Sequence, residues 1–351
     1  MSWQEILGHD DVLAQFQQCV ARGRLASSFL FIGPAGVGKH TFALKLAEAL
    51  LCPQADLPRL EPCGDCLSCR QVRDRSHPDL DLITRPADKS VIPLDLLIGD
   101  KEHRMREGLC HRLAIKSCYG GRKVAIIDDA DYLNQEGANA LLKTLEEPPA
   151  NSLIILVGTS RQRQLPTIRS RCQIVRFQSL EARTVAKLLI DLGLVSDREQ
   201  AGRVAEIADG SLRRAMDLTD PELWTFRDEV QSVLQRRVPD PTAFTSELIE
   251  FVKVAGKEAG KEAGPRRRRR LQQVVLFATE FYRQQLRESI AGLSCDEHRE
   301  WSTADATTET ITELIECGLE TMTHIDRNAN LATLQHWWVD ELARINARLA
   351  S

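Results

Sequence analysis

The sequence lacks the features of a membrane-bound or secreted protein. It has no uninterrupted apolar run of the roughly 18 residues that would suggest a membrane-spanning helix. Its first residues, MSWQEILGHDD, contain neither the basic region nor the apolar region of a secretory signal peptide. We therefore predict a cytoplasmic protein that makes no membrane contact.

A strong excess of charge of either sign is also missing. The formal net charge is -4 over 351 residues, so the molecule as a whole is not biased towards nucleic acid. The longest arginine run lies in GKEAGKEAGPRRRRR, residues 256–270. We predict that this stretch is a flexible basic insertion between helices, with a patch that contacts nucleic-acid phosphates as the alternative.

The ten cysteines are unevenly distributed, and four of them lie close together. The module at 52–69 has the spacing C-x10-C-x2-C-x2-C, formed by Cys52, Cys63, Cys66 and Cys69. Clustered thiols in a cytosolic chain indicate a metal site more than disulfides. Four thiolates suit tetrahedral Zn²⁺ and leave no open position for a substrate, so we predict structural zinc, with free buried cysteines as the alternative.

Short apolar runs alternate with helical patterns in the first half of the chain. Five runs predict buried strands, at 27–33, 79–85, 123–130, 152–159 and 172–177. Amphipathic segments between them, such as 10–22, 39–51 and 134–146, predict helices. This alternation favours an α/β domain with a parallel sheet covered by helices. Beyond about residue 178 only helical patterns continue, over 181–218 and then from about 220 onwards.

A glycine loop follows the first predicted strand in FLFIGPAGVGKH. Gly33, Gly36 and Gly38 would let backbone N–H groups close around phosphate oxygens at the start of a helix. Lys39 could then reach the outer phosphates. The loop therefore predicts a site for ATP.

The next residue departs from this pattern. His40 stands where a phosphate-binding loop has the Ser or Thr whose hydroxyl binds Mg²⁺, and imidazole is a poor ligand for such a hard cation. Thr41 comes one residue later, turned by about 100° around the helix, so it does not replace that ligand. We predict that ATP and Mg²⁺ binding is possible but that the site is degraded.

Two carboxylates end the strand in KVAIIDDAD. Asp128 has the position of a metal-side carboxylate and Asp129 that of a catalytic base in a nucleotide-hydrolysing sheet. Many such enzymes have Glu at the second position, and the shorter Asp would sit farther from the attacking water. Capping of the following helix is the alternative role.

Arginines lie in the polar turn LPTIRSRCQ, residues 165–173, just before the fifth predicted strand. Arg169 and Arg171 could project from the edge of the domain. An arginine presented in this way can donate in trans to a phosphate bound by a neighbouring subunit. A surface salt bridge is the alternative.

These motifs together resemble one family. GPAGVGKH, the four cysteines, VAIIDDADYLNQEGANALLKTLEEPP and LPTIRSRC are similar to bacterial DNA polymerase III clamp-loader subunits of the AAA+ class, above all those of the delta prime type. The resemblance covers nearly the whole chain and is most specific over 123–173. It implies an AAA+ P-loop domain with a five-stranded parallel sheet over 1–178, a small helical lid over 179–219 and an all-α collar domain over 220–351.

The resemblance also implies roles for individual residues. Ser170, Arg171 and Cys172 match a Ser-Arg-Cys motif whose arginine enters the ATP site of an adjacent gamma/tau subunit as an arginine finger. Arg213, in GSLRRA, matches the nucleotide sensor of the lid, and Thr159 is the candidate for the second sensor. The implied partners are gamma/tau and delta subunits in a hetero-pentamer, the sliding clamp, and primer–template DNA reached through the assembled complex.

Three functions remain open at this point. The first is a stator, a weakly catalytic or non-catalytic subunit that completes a neighbour's site. The second is an active gamma-type ATPase, and the third is a DNA-binding protein without ring partners. In gamma/tau subunits the loop resembles Gly-Lys-Thr followed by Ser or Thr, and the acidic motif is Asp-Glu. This chain has Lys39-His40 and Asp128-Asp129 instead, which favours the stator. The stretch 91–121 looks enlarged for the delta prime pattern.

Overall fold

The computed structural model describes residues 3, 6–86, 89–104, 106–257, 260, 263–293 and 301–348. The chain divides into two compact units, Met1–Met216 and Asp217–Ser351. This division lies close to the predicted start of the collar at residue 220. Separation of the first unit into an α/β domain and a lid remains a prediction. Among the described residues, no helix is long and apolar enough to cross a membrane.

The first unit contains a parallel sheet of five strands in the order β2-β3-β4-β1-β5. The strands are Ser28–Ile32 (β1), Leu80–Ile83 (β2), Lys123–Ile127 (β3), Ser152–Val157 (β4) and Gln173–Arg176 (β5). Because β1, β3 and β4 are buried along their whole length, they read in the sequence as continuous apolar runs. The predicted α/β fold class and its five strands are confirmed.

Ten helices of the described chain accompany the sheet. They are Asp10–Ala21 (α1), Lys39–Leu51 (α2), Leu67–Arg73 (α3), Leu94–Ile98 (α4), Gly108–Ala114 (α5), Gln135–Glu146 (α6), Pro166–Arg169 (α7), Ala182–Asp191 (α8), Arg198–Ile207 (α9) and Leu212–Asp217 (α10). Alternate residues of β1 enter different cores, because successive side chains of a strand point to opposite faces. Phe29 and Phe31 pack with Phe16 and Phe42 on one face, whereas Leu30 belongs to the core of the other.

The stretch 91–121, predicted to be enlarged, contains the short helices α4 and α5. Their apolar residues Leu97, Ile98, Leu109 and Leu113 are buried in the core that also contains Leu30. The two short helices therefore cover one face of the sheet. Residue 105 of this stretch lies outside the described residues.

The second unit is helical throughout its described part. Its helices are Pro221–Gln235 (α11), Pro241–Val254 (α12), Ala263–Leu293 (α13), Trp301–Asp326 (α14) and Leu331–Ala347 (α15). Trp338 is fully buried in its core, and Asn346 donates a hydrogen bond of 2.9 Å to the buried hydroxyl of Tyr282. Asp220 caps α11 by accepting from the Glu222 N–H, as expected for a helix that begins Asp-Pro.

The prediction of a flexible insertion over 256–270 is wrong for its second half, since the arginine run forms the first turns of α13. Arg269 forms an ion pair with Asp217, and Nη2 of Arg270 lies 2.5 Å from Oδ2 of Asp220. Two of the five arginines thus meet acidic residues from a distant part of the sequence. Four residues of the predicted insertion lie outside the described residues, namely 258, 259, 261 and 262.

Candidate functional site

The glycine loop lies between β1 and α2, at the carboxyl edge of the sheet. At Gly33, a Cβ would lie 2.2 Å from the carbonyl oxygen of Phe177. Gly36 and Gly38 have φ values of 76° and 101°, which L residues with side chains rarely adopt. A Cβ at Gly36 would lie 2.5 Å from Cβ of Arg213 in α10. Glycine is thus required here by close packing as well as by backbone conformation.

The lysine of the loop is held by the loop itself. Lys39 begins α2 and is only 6% exposed. Its Nζ donates to the carbonyl oxygens of Gly33 and Pro34, at 2.7 and 2.6 Å. Burial lowers the pKa of Lys39 to about 8, although the charges of Asp128 and Asp131 oppose this shift. The group predicted to reach a phosphate already has two acceptors within the chain.

His40 contacts the carboxylate that is predicted to lie beside a magnesium ion. Its Nδ1 lies 3.0 Å from Oδ2 of Asp128, which follows β3. Burial raises the pKa of Asp128, but His40, the Asp129 N–H and Lys39 together hold it below its ordinary value. The imidazole nitrogen thus lies next to the carboxylate oxygen that a magnesium ion would use, and it offers nitrogen where Mg²⁺ prefers an oxygen ligand. Thr41 follows on α2 and is half-buried.

Asp129 lies beside Asp128 in a left-handed backbone conformation, with φ of 55°. Its N–H donates to Oδ1 of Asp128 at 3.0 Å. Burial raises the pKa of Asp129, and the nearby charges of Asp128 and Asp131 raise it further, whereas Arg85 lowers it. The structure thus brings together the two predicted carboxylates and His40.

A third carboxylate, Asp131, was missed by the sequence reasoning. Its Oδ2 accepts from the backbone N–H and the hydroxyl of Thr159, at 2.8 and 2.5 Å, and its Oδ1 accepts from Gln164. The predicted sensor Thr159 is therefore tied to the segment that follows β3. The third aspartate of IIDDAD was the available signal, but only the fold reveals its partner.

The helices at 182–217 meet the glycine loop through their backbone. The Arg213 N–H donates to the carbonyl oxygen of Gly36 at 3.3 Å, while the Arg213 side chain is exposed. A second support, also missed, is the buried His9, whose Nε2 donates to the carbonyl oxygen of Val37 at 2.6 Å. Burial lowers the pKa of His9, which favours the neutral ring. Both contacts fix the loop from within the unit.

The predicted arginine loop lies between α7 and β5. Ile168 and Cys172 are buried and anchor the loop, whereas Arg171 is 30% exposed. Arg171 pairs with Glu146, the last residue of α6, and also donates to the carbonyl oxygen of Thr167 at 3.0 Å. Within the chain, the salt bridge that was the alternative role for Arg171 is therefore present.

The four predicted metal ligands come together. Sγ of Cys52 lies 3.6 Å from that of Cys63 and 3.8 Å from that of Cys66, and the Sγ atoms of Cys63 and Cys69 are 4.0 Å apart. Tetrahedral zinc with Zn–S bonds of about 2.3 Å requires S–S separations of about 3.8 Å. Hydrogen bonds from the backbone of Asp65 and Cys66 lower the pKa of Cys63 to about 7, whereas burial raises the pKa of Cys52 and of Cys69. The donor set and spacing fit zinc.

A buried Ser–His–Asp group attaches this cysteine module to the sheet. Nδ1 of His77 accepts from the Asp79 N–H at 3.0 Å, so its Nε2 carries the proton and donates to Ser68 Oγ at 2.9 Å. Ser68 in turn donates to the carbonyl oxygen of Leu51 at 2.8 Å. Because this histidine donates to the serine instead of accepting its proton, the group is a structural link and not a hydrolytic triad.

A five-stranded parallel sheet with a glycine loop between β1 and α2, followed by helices that close on that loop, defines an AAA+ P-loop protein. Residues 8–181 match the family model described as DNA polymerase III, delta subunit. This part of the chain belongs to the clamp-loader family of AAA+ proteins.

Two relatives and one solved structure illustrate the similarity. The gamma/tau subunit of DNA polymerase III from Mycobacterium tuberculosis is 31% identical over 223 residues, which are 62% of this chain and 36% of that protein. The delta' subunit from Bacillus subtilis is 31% identical over 192 residues, 54% of each chain. The chain thus spans about a third to a half of the length of these relatives.

A gamma subunit-related structure from Thermotoga maritima is 18% identical and covers 96% of this chain and 99% of its own. Its TM-score is 0.39.

Proposed function

We propose that the chain is a delta prime-like stator of a DNA polymerase III clamp loader. It would assemble in the cytoplasm with gamma/tau and delta subunits in a hetero-pentamer that loads the sliding clamp onto primed DNA. The proposal rests mainly on His40, which stands at the position of the magnesium ligand with its Nδ1 3.0 Å from Oδ2 of Asp128. A subunit that completes a neighbour's site need not keep a working metal site of its own.

The internal partners of the nucleotide-site residues support a weakly catalytic or non-catalytic role. Lys39 donates to two loop carbonyls, and Thr159 is bonded to Asp131. Hydrolysis here would require Lys39 and Asp128 to exchange these contacts for phosphate and metal. The chain would also have to supply a magnesium ligand that His40 does not provide.

In this proposal the chemical contribution of the chain comes from Arg171. Its guanidinium would enter the ATP site of an adjacent gamma/tau subunit and stabilise the negative charge that develops on the transferred phosphoryl group. Burial of Ile168 and Cys172 on either side supports the role, because it fixes the backbone while leaving Arg171 at the surface. Arginine suits the task because its planar fork matches phosphate oxygens.

We also propose that the cysteine module binds structural Zn²⁺ through Cys52, Cys63, Cys66 and Cys69. The Sγ separations support this assignment. Four thiolates complete a tetrahedral site and leave no position for a substrate water, which supports a structural role. When bound, the metal would supply folding energy to the module and no chemistry.

An active gamma-type ATPase is the second candidate. It is favoured by the retained Gly38, Lys39 and Asp128 and by the similarity to gamma/tau relatives. This alternative predicts ATP turnover by the chain alone.

The two candidates are separated by ATP binding and turnover of the purified chain with Mg²⁺, beside Lys39→Ala. The stator predicts no turnover above the Lys39→Ala background, whether or not ATP binds. A His40→Thr variant restores the hydroxyl and serves as a matched probe of the metal position. Clear turnover by the unaltered chain that disappears in Lys39→Ala would overturn the stator and support the motor.

A further inference from the structure

We propose that Glu146 holds Arg171 in a resting position, and that the guanidinium must leave this carboxylate to bind a phosphate oxyanion presented by a neighbouring subunit. The inference rests on the function proposed above and adds an intramolecular contact that regulates the same arginine.

The guanidinium is engaged on every nitrogen. Nε of Arg171 donates to Oε1 of Glu146 at 2.8 Å, and Nη2 donates to the same oxygen. Nη1 donates to the carbonyl oxygen of Thr167 at 3.0 Å and to Oγ of Ser170 at 3.1 Å. An arginine grips a phosphate with two parallel N–H groups from one edge of the fork. The edge formed by Nε and Nη2 is taken by Glu146, and Nη1 of the other edge is taken by the loop.

The position of Glu146 is poorly explained by helix stability. It is the last residue of α6, where the negative end of the helix dipole disfavours a carboxylate. Pro148 and Pro149 follow shortly afterwards and stop the helix. The contact with Arg171 offsets this unfavourable placement. Glu147 is also exposed to solvent, but among the described residues no ion pair or hydrogen bond joins it to Arg171.

The ion pair between Arg171 and Glu146 is strong enough to favour the resting position of the guanidinium and weak enough to release it. The side chains of Arg171 and Glu146 are 30% and 49% exposed. Exposed pairs of this kind shift an equilibrium by about 1.4- to 5-fold. A phosphate carries more charge than a single carboxylate and offers several acceptor oxygens. It can therefore displace Glu146 at a modest cost in apparent affinity.

The first test uses the isolated chain and inorganic pyrophosphate. The Arg171 Nε–H resonance, assigned by its loss in Arg171→Lys, is followed by NMR during a pyrophosphate titration. We expect Glu146→Gln to move this resonance in the free protein and to tighten pyrophosphate binding at Arg171 by about 1.4- to 5-fold. Glu147→Gln removes the same charge one residue away and should do neither. Equal effects of the two variants, or an Arg171 resonance unchanged by Glu146→Gln, would overturn the resting contact.

The second test uses the reconstituted complex and separates this inference from the proposed function. Glu146→Gln should raise the rate constant of DNA-stimulated ATP hydrolysis at the adjoining site by a similar factor with KM little changed, because the arginine acts on the transition state. The gain should vanish in an Arg171→Ala background. If the pyrophosphate result holds but Arg171→Ala leaves hydrolysis unchanged, the in-trans function fails while the resting contact stands. A gain that persists without Arg171 would overturn the inference.

Discussion

The glycine loop and the arginine loop of the first unit hold their charged groups in different ways. Lys39 is 6% exposed and its ammonium is bound by carbonyls of its own loop, whereas Arg171 is 30% exposed and paired with a half-exposed glutamate. The ammonium of Lys39 is enclosed by buried contacts, whereas the guanidinium of Arg171 can exchange its partner at the surface. The difference teaches that two charged groups of one domain, both predicted to meet phosphate, can start from unequal positions: the lysine is enclosed by its own loop, and the arginine lies at the surface.

Substitution of a cysteine of the module should have the largest effect on the free energy of unfolding. It tests whether the difference between the glycine loop and the arginine loop depends on an intact cysteine module. Cys69 is fully buried, and losing a metal is among the changes that cost more than about 4 kcal/mol. We expect Cys69→Ser to lose zinc and to lower the free energy of unfolding by about that amount. Zinc content by atomic absorption and thermal unfolding measure this. Cys19→Ser, outside the cluster, is the control, and equal zinc in both variants would refute the ligand set.

The buried lysine predicts a pH dependence confined to the glycine loop. The pKa of Lys39 is about 8 in the folded chain against 10.5 ordinarily, so between these values the unfolded chain binds more protons. Stability should therefore rise with pH from about 8 to about 10.5, by up to about 3 kcal/mol. Lys39→Met should remove this rise in denaturant unfolding measured across that range. An identical pH profile for both proteins would show that Lys39 is not held as described.

A pair of glycine variants should give the smallest effect and tests whether Gly36 serves packing. Gly36 and Gly23 both have positive φ, at 76° and 64°, but only at Gly36 would a Cβ meet atoms closer than 3 Å. Both alanine variants should therefore be destabilised by backbone strain. Overlap with α10 should lower the free energy of unfolding of Gly36→Ala by about a further 1–3 kcal/mol. Chemical denaturation of the two variants gives the difference. Equal losses would mean that α10 does not close on the loop.

Much of the fold could be predicted because its signals are local. The five strands are short apolar runs bounded by polar residues, and their ends differ from the predicted ends by only a few residues. The cysteine cluster follows from spacing, since three of its four cysteines lie within seven consecutive residues, 63–69. Such patterns need no knowledge of distant partners.

The contacts that decide the interpretation could not be predicted, since they join distant segments. Glu146 meets Arg171 only because α6 ends beside the loop before β5. Asp217 and Arg269 are likewise far apart in the chain, which is why the arginine run reads as a linker in the sequence and forms a helix in the structure. Composition describes a segment and says nothing of what packs against it.

The most direct test of the stator account is single-turnover, DNA-stimulated ATP hydrolysis by the reconstituted clamp loader carrying Arg171→Ala. The neighbouring Arg169→Ala is the matched control, and assembly is verified for both complexes. The account predicts that hydrolysis at the adjoining site falls by about 10³-fold or more with Arg171→Ala, as expected for loss of an arginine finger, while Arg169→Ala stays close to the unaltered complex. Full assembly with unchanged hydrolysis in Arg171→Ala would contradict it.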